Sequence, residues 1–162
     1  MQRRHRCHKK LSMMQQRLLD NIESIVAVGE SFEMRVSGYS MLPMLGRGRD
    51  TIIVRRIGVR EPIVGRIAMF RAEGGNIVVH RVVECKEGVV TLKGDGNLAK
   101  CERVSRERII GVVESVRREC GKVVECDSRG WRRGESLWLA MPYVVRRVVL
   151  GVLRRWLDFK NK

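Results

Sequence analysis

At 162 residues the chain is long enough for one domain with a real core and too short for two of ordinary size. Its 33 Lys and Arg against 18 Asp and Glu give +15, which draws it toward anionic surfaces such as lipid headgroups, nucleic acid or acidic peptides. Five cysteines, an odd number without a C-x-x-C pair, argue against a closed disulfide framework and for a reducing compartment, and they imply no metal or other cofactor.

In chain order, Leu11, Met14, Leu18, Ile22 and Ile25 keep helical spacing up to Gly29, predicting a basic amphipathic helix over residues 9–28. Short β-branched runs follow: Phe32–Val36, Thr51–Ile57, Arg66–Arg71, Asn76–Glu84, Val89–Lys93, Arg108–Arg117 and Lys122–Cys126. Turn signals at Glu73-Gly74-Gly75-Asn76, Lys86-Glu87-Gly88 and Glu119-Cys120-Gly121 favour hairpins and antiparallel pairing. The tail from Pro142 to Phe159 predicts a second amphipathic helix, with Val145, Val149, Val152 and Trp156 together and Arg146, Arg147, Arg154 and Arg155 across the other half. The organisation expected is a basic N-terminal helix (1–30), a mostly β antiparallel domain (31–130) and a basic C-terminal amphipathic helix (131–162). Such a C-terminal helix either lies in an anionic membrane interface or packs on the sheet with its charges solvated. No window approaches the roughly 18 uncharged residues of a transmembrane helix, and no signal peptide is evident. The location expected is therefore cytoplasmic or peripheral to a membrane.

Three stretches can carry chemistry. In Gly38-Tyr39-Ser40-Met41-Leu42-Pro43, a serine between a strand and a proline turn can hold its hydroxyl at a sheet edge, with neighbouring N–H groups left to receive an oxyanion. In Val78-Val79-His80-Arg81-Val82, strand alternation turns His80 inward, where a neutral imidazole can take the serine proton and return it to a leaving amine. In Thr91-Leu92-Lys93-Gly94-Asp95-Gly96-Asn97, a strand enters a glycine turn whose Asp95 can orient that imidazole. Each residue also has an ordinary reading: Ser40 as a turn serine, His80 as a satisfied core histidine, Asp95 as the residue closing its own turn. Lys93 is a rival base that would need desolvation.

In this order the stretches resemble the signal peptidase I and LexA-like peptidase families, over about residues 34 to 114. The likeness is greater to the archaeal and endoplasmic-reticulum type of signal peptidase, in which a V-H-R-V stretch carries a histidine base ahead of a K-G-D turn. The resemblance implies a LexA/signal-peptidase-like β fold with Ser40 as nucleophile, His80 as general base, Asp95 as its orienter and Glu102 as a secondary acid. The oxyanion-hole candidates are Ser40 and Ser37; the chain departs from bacterial relatives in having Gly38 where they carry a serine, with Ser37 one place earlier. The substrate implied is a peptide or preprotein with small residues before the scissile bond, bound as an extended strand. The family's G-D pairs are altered here to Gly48-Arg49-Asp50 and Gly65-Arg66-Ile67, so a structural acid is lost or displaced. Two alternatives stand beside this expectation. A LexA-like self-cleaving regulator would cut at Ala-Gly or Cys-Gly, neither of which precedes Ser40. A non-catalytic basic β barrel would bind nucleic acid or anionic lipid, but nucleic acid is disfavoured by the few aromatic residues.

Overall fold

The computed structural model describes residues 21, 22, 25–46 and 48–160. Most of the expected N-terminal helix lies outside them; within them Asn21, Ile22 and Ile25 are helical, and Ile22 packs on the core. The β-branched runs form β1 (Ser31–Arg35), β2 (Thr51–Arg56), β3 (Ile67–Arg71), β4 (Ile77–Lys86), β5 (Val89–Lys93), β7 (Ile109–Arg117) and β8 (Val123–Glu125). To these the structure adds β6 (Cys101–Ser105), a strand whose only large aliphatic residue is Val104. As an outer strand β6 has little to bury, so no hydrophobic alternation marked it. All pairings are antiparallel, in the order β1-β2-β7-β3-β4-β5-β6, with β8 on β7. The antiparallel, mostly β architecture agrees with the fold class expected.

Strand β3 is buried on both faces. Ile67 and Met69 join one core with Met41, Leu45, Ile52, Val113 and Trp131. The residues between them, Ala68 and Phe70, join a second with Val82, Val90, Leu92 and Val112. This two-sided burial is why Ile67–Phe70 reads as a continuous apolar run rather than an alternating one.

The tail forms two helices, α1 (Arg129–Ala140) and α2 (Tyr143–Lys160), bent by 116° at Met141-Pro142, where one helix was expected. Ser128 caps α1 by accepting from the Trp131 N–H, and Pro142 cannot continue it. The packed face of α2 also differs from the expected one. Leu150 and Leu157 are buried with Leu42 and Trp138, whereas Val145, Val152 and Trp156 are exposed. The valine face competes with a leucine face on the same helix, and the leucine side brings Arg146 and Arg154 within reach of backbone carbonyls in the 94–97 turn.

The displaced acid of the serine loop is Asp50. It is buried, and its Oδ2 accepts from the Gly46 N–H at 2.6 Å and from Arg118 at 2.6 Å, while Arg118 also donates to the Met44 carbonyl. One carboxylate thus ties the loop after Ser40 to the end of β7. Asp50→Ala is expected to lower stability by about 2 kcal/mol, the scale of charged hydrogen bonds lost inside a protein; a denaturant midpoint that does not move would show the loop to be held by packing alone.

Candidate active site

Ser40 follows β1 at the start of a turn that runs through Leu45, in which the Leu42–Pro43 peptide is cis. Its carbonyl accepts from the Gly96 N–H at 2.8 Å, which fixes the serine turn to the 94–97 turn. The approach is too close for any side chain at the two glycines. A Cβ on Gly94 would stand 2.5 Å from the Ser40 carbonyl oxygen and 3.0 Å from His80 Nε2, and one on Gly96 would stand 2.7 Å from the Tyr39 carbonyl oxygen. The serine turn and the imidazole therefore meet at one point, and that point is kept open by the missing side chain of Gly94.

His80 lies on β4, opposite Ala68 of β3, and is 3% exposed. Its ring sits 5.9 Å from that of Phe70. Both ring nitrogens are buried and make no hydrogen bond, an arrangement that few buried imidazoles show. Desolvation lowers the His80 pKa, while the charges of Glu102 and Asp95 act to raise it; burial wins and favours the neutral ring.

The two acids differ from the expected roles. Asp95 is buried and gives both carboxylate oxygens to Arg81, at 2.9 Å from Nε and 2.6 Å from Nη2, so it is engaged away from the imidazole. The carboxylate facing Nδ1 is Glu102 of β6, at 3.9 Å, too long for a hydrogen bond, and its Oε2 is buried without a partner. Of the two acids expected to support the ring, Asp95 is bonded to Arg81 and acts on His80 through its charge, and Glu102 is the one that faces Nδ1. Sequence reasoning gave Arg81 no role. It neighbours His80 on β4, is buried, and also bonds Glu135 of α1 and the Gly65 carbonyl. The signal was present in the strand pattern, since an arginine inside an apolar strand must be paired wherever it is buried.

The carbonyl of Asp95 receives two further donors, Trp138 Nε1 and Arg146 Nη2, each at 3.1 Å. Arg154 donates to the Gly96 carbonyl at 2.9 Å. The turn beneath the serine is therefore held from the strand side by Arg81 and from the helix side by α1 and α2.

Beside Ser40 opens a mostly apolar cavity of about 230 Å³, lined by Met34 and Val36, by Ser37 and Gly38, and by Ile77 and Val79 of β4. Ser37 is exposed at its mouth, next to the serine it was expected to assist. Among the described residues β1 pairs with β2 alone, and β5 joins β4 from Arg81 onward, so β1 and the start of β4 have unpaired edge near the cavity. Away from the cavity, burial pushes the Cys126 thiol up to about 12, beyond the range of a nucleophile at neutral pH. Among the described residues no cluster of His, Cys, Asp and Glu has the arrangement of a metal site.

Residues 10–114 match the Peptidase S24-like family. The chain belongs to this family. It is thereby a member of the superfamily that holds LexA and the signal peptidases, and a serine-type peptidase in the general sense. The matched span contains Ser40, His80, Asp95 and Glu102, and α1 and α2 lie beyond it. No curated protein matches the chain.

Gly94→Ala places a methyl group on the Ser40 carbonyl and against His80 Nε2. It is expected to cost about 1–3 kcal/mol of stability and to abolish peptidase activity; a variant with wild-type activity would show that the 94–97 turn is not held against the serine in the working enzyme.

Proposed function

We propose that this S24-like protein is an endopeptidase that removes a leader or signal segment from another peptide, with Ser40 as nucleophile and His80 as general base. The observation that supports it most is the buried, unpartnered imidazole of His80 within contact distance of the turn that receives the Ser40 carbonyl. An imidazole kept neutral by desolvation can accept the Ser40 proton as the hydroxyl adds to the scissile carbonyl, then deliver it to the departing amine. Glu102, on the Nδ1 side, is the carboxylate suited to stabilise the imidazolium formed in between. The Ser40 N–H makes no backbone bond within the turn, and with the Ser37 hydroxyl it is the donor available to the oxyanion.

The substrate reading rests on shape. An extended peptide adding to the free edge at β1 would lower one small side chain into the cavity beside Ser40, which has room for an alanine-sized or modestly larger aliphatic group. The histidine in a V-H-R-V strand ahead of Lys93-Gly94-Asp95 is the feature that favours the archaeal and endoplasmic-reticulum type of signal peptidase as the nearer relative.

The expected result is cleavage of synthetic peptides after small residues, with Ser40→Ala and His80→Ala each lowering kcat/KM by roughly 10³-fold or more; full activity in either correctly folded variant rejects the pair. The pH profile tests the base itself. Because desolvation lowers the His80 pKa, the acid limb of kcat/KM should fall below the ordinary histidine value of about 6.5. Glu102→Gln removes a charge that raises this pKa, so it should move the limb further toward acid. An acid limb above about 6.5, or a shift toward base in Glu102→Gln, contradicts a desolvated imidazole as base.

The S24-like match also keeps open a LexA-like self-cleaving role. Incubation of the pure protein at raised pH distinguishes the two. A shortened chain whose appearance is independent of concentration marks cleavage in cis, whereas cleavage of added peptide with the chain intact marks the leader peptidase.

A further inference from the structure

Helix α2 has two apolar faces; the fold packs one, and of the other it engages Trp156, over whose ring the Arg49 guanidinium stands at 5.1 Å. Leu150, Leu157 and, in part, Leu153 and Val149 turn toward the domain. At about 100° per residue, Val144, Val148, Val152, Val145, Trp156 and Phe159 fall within one third of the helix circumference. They are exposed, with Val148 at 61%, Val152 at 63% and Phe159 at 81%. So long a continuous apolar stripe on a surface otherwise rich in charge marks an interaction face.

The charges decide the partner. In the α1–α2 pair the acidic residues are two: Glu135 is turned inward to Arg81, and Asp158, exposed beside the stripe, accepts from the Tyr39 hydroxyl. Outward are the exposed Arg129, Arg132, Arg133, Arg147 and Arg155. Arg155 falls within the valine stripe and Arg147 close to its border. A stripe of valines with a tryptophan and a phenylalanine, holding Arg155 and no acidic side chain, and with one acid, Asp158, against the exposed Arg129, Arg132, Arg133 and Arg147 elsewhere on α1 and α2, has the composition of a helix lying in a bilayer interface with its apolar face among the acyl chains. No single described helix is long and apolar enough to cross a membrane; α1 and α2 reach that length and composition only as a pair, and they are bent by 116°. The net charge of +15 supplies the long-range attraction to anionic headgroups.

We propose that α2 docks this protein in-plane on anionic phospholipid membranes, apolar stripe downward. The opposite side of the same helix holds the catalytic turn through Arg146 and Arg154. Docking therefore fixes the candidate active site about one helix diameter, roughly 10 Å, above the acyl boundary. A peptide presented at the headgroup level would reach Ser40 without leaving the interface. Lipid docking is independent of the chemistry at Ser40 and is measured separately from it.

The reporter is internal. Trp131 and Trp138 are buried, and Trp156 is the half-exposed tryptophan, at the edge of the stripe. With the full chain and vesicles of phosphatidylcholine containing phosphatidylglycerol, the emission of Trp156 should shift to the blue and be quenched by brominated acyl chains, with the protein sedimenting with the lipid. Phosphatidylcholine alone should bind more than about tenfold more weakly, because the electrostatic attraction is lost. The double variant Val148→Asp, Val152→Asp should lose vesicle binding by at least about tenfold while keeping its circular dichroism and its cleavage of soluble peptide. Absence of a Trp156 shift with anionic vesicles overturns the proposal. So does binding that persists unchanged in the double variant, which would assign the lipid contact to other basic segments. A dimer that disperses in the double variant, without lipid binding by the wild type, would give the stripe to a second copy of the chain and overturn it equally.

Discussion

The arrangement of the candidate site depends on a buried ion pair, Arg81 with Asp95. Successive residues on a strand face opposite ways, so on β4 the His80 imidazole lies beside Phe70 and Gly94 while the Arg81 guanidinium reaches Asp95, Gly65 and Glu135. Arg81 there grips the Asp95 carboxylate through two hydrogen bonds and reaches Glu135 on α1. Asp95 thereby pins its turn, whose next residue, Gly96, donates to the Ser40 carbonyl. One strand supplies the proposed base, the clamp on the turn and, through the turn, the position of the proposed nucleophile. A buried pair of this kind adds little net stability over an apolar substitute, because desolvation offsets most of the attraction, but removing one partner leaves the other charge stranded. Its contribution here is geometric: it permits one placement of the turn.

That placement governs the electrostatics of His80. The imidazole is walled by Phe70 and the sheet, and neither nitrogen is satisfied within the described structure. Had Asp95 been free to accept from the ring, it would have raised the imidazole pKa and favoured the charged form, which must lose its proton before it can act as a base. With Asp95 committed to Arg81, the ring feels its charge at a distance, and burial prevails. Glu102, partly exposed and 3.9 Å from Nδ1, is placed to close on a ring that has become charged without holding it in that state beforehand.

Much of this was legible in the sequence, for identifiable reasons. The strands that bury β-branched residues on at least one face announced themselves, as did the turns between them. Ser40 and His80 were recognisable as candidates from their settings, the proline turn and the apolar strand, and the order of the three stretches carried the family resemblance. Strand β6 was not legible, because an edge strand with one inward valine carries no alternation. The partner of Asp95 was not legible either: a single strand step from His80 puts Arg81 on the other face, and only the path of the β5–β6 connection brings Asp95 to it. The packed side of α2 escaped for a different reason. Two apolar faces share that helix, and what selects between them is a set of carbonyls in a turn some fifty residues earlier.

The same selection explains why a segment outside the family match stands so close to the candidate site. Asp95 and Gly96 expose their carbonyls at the end of a strand, where no further ladder can take them, and such groups need donors when they are covered. Trp138, Arg146 and Arg154 supply those donors from α1 and α2. Packing the leucine face of α2 onto the turn then leaves the valine face outward by necessity, since the two lie on opposed sides of one helix. The exposed stripe is thus a consequence of how the turn is satisfied, and any surface that the stripe meets is held in a fixed relation to Ser40 and His80.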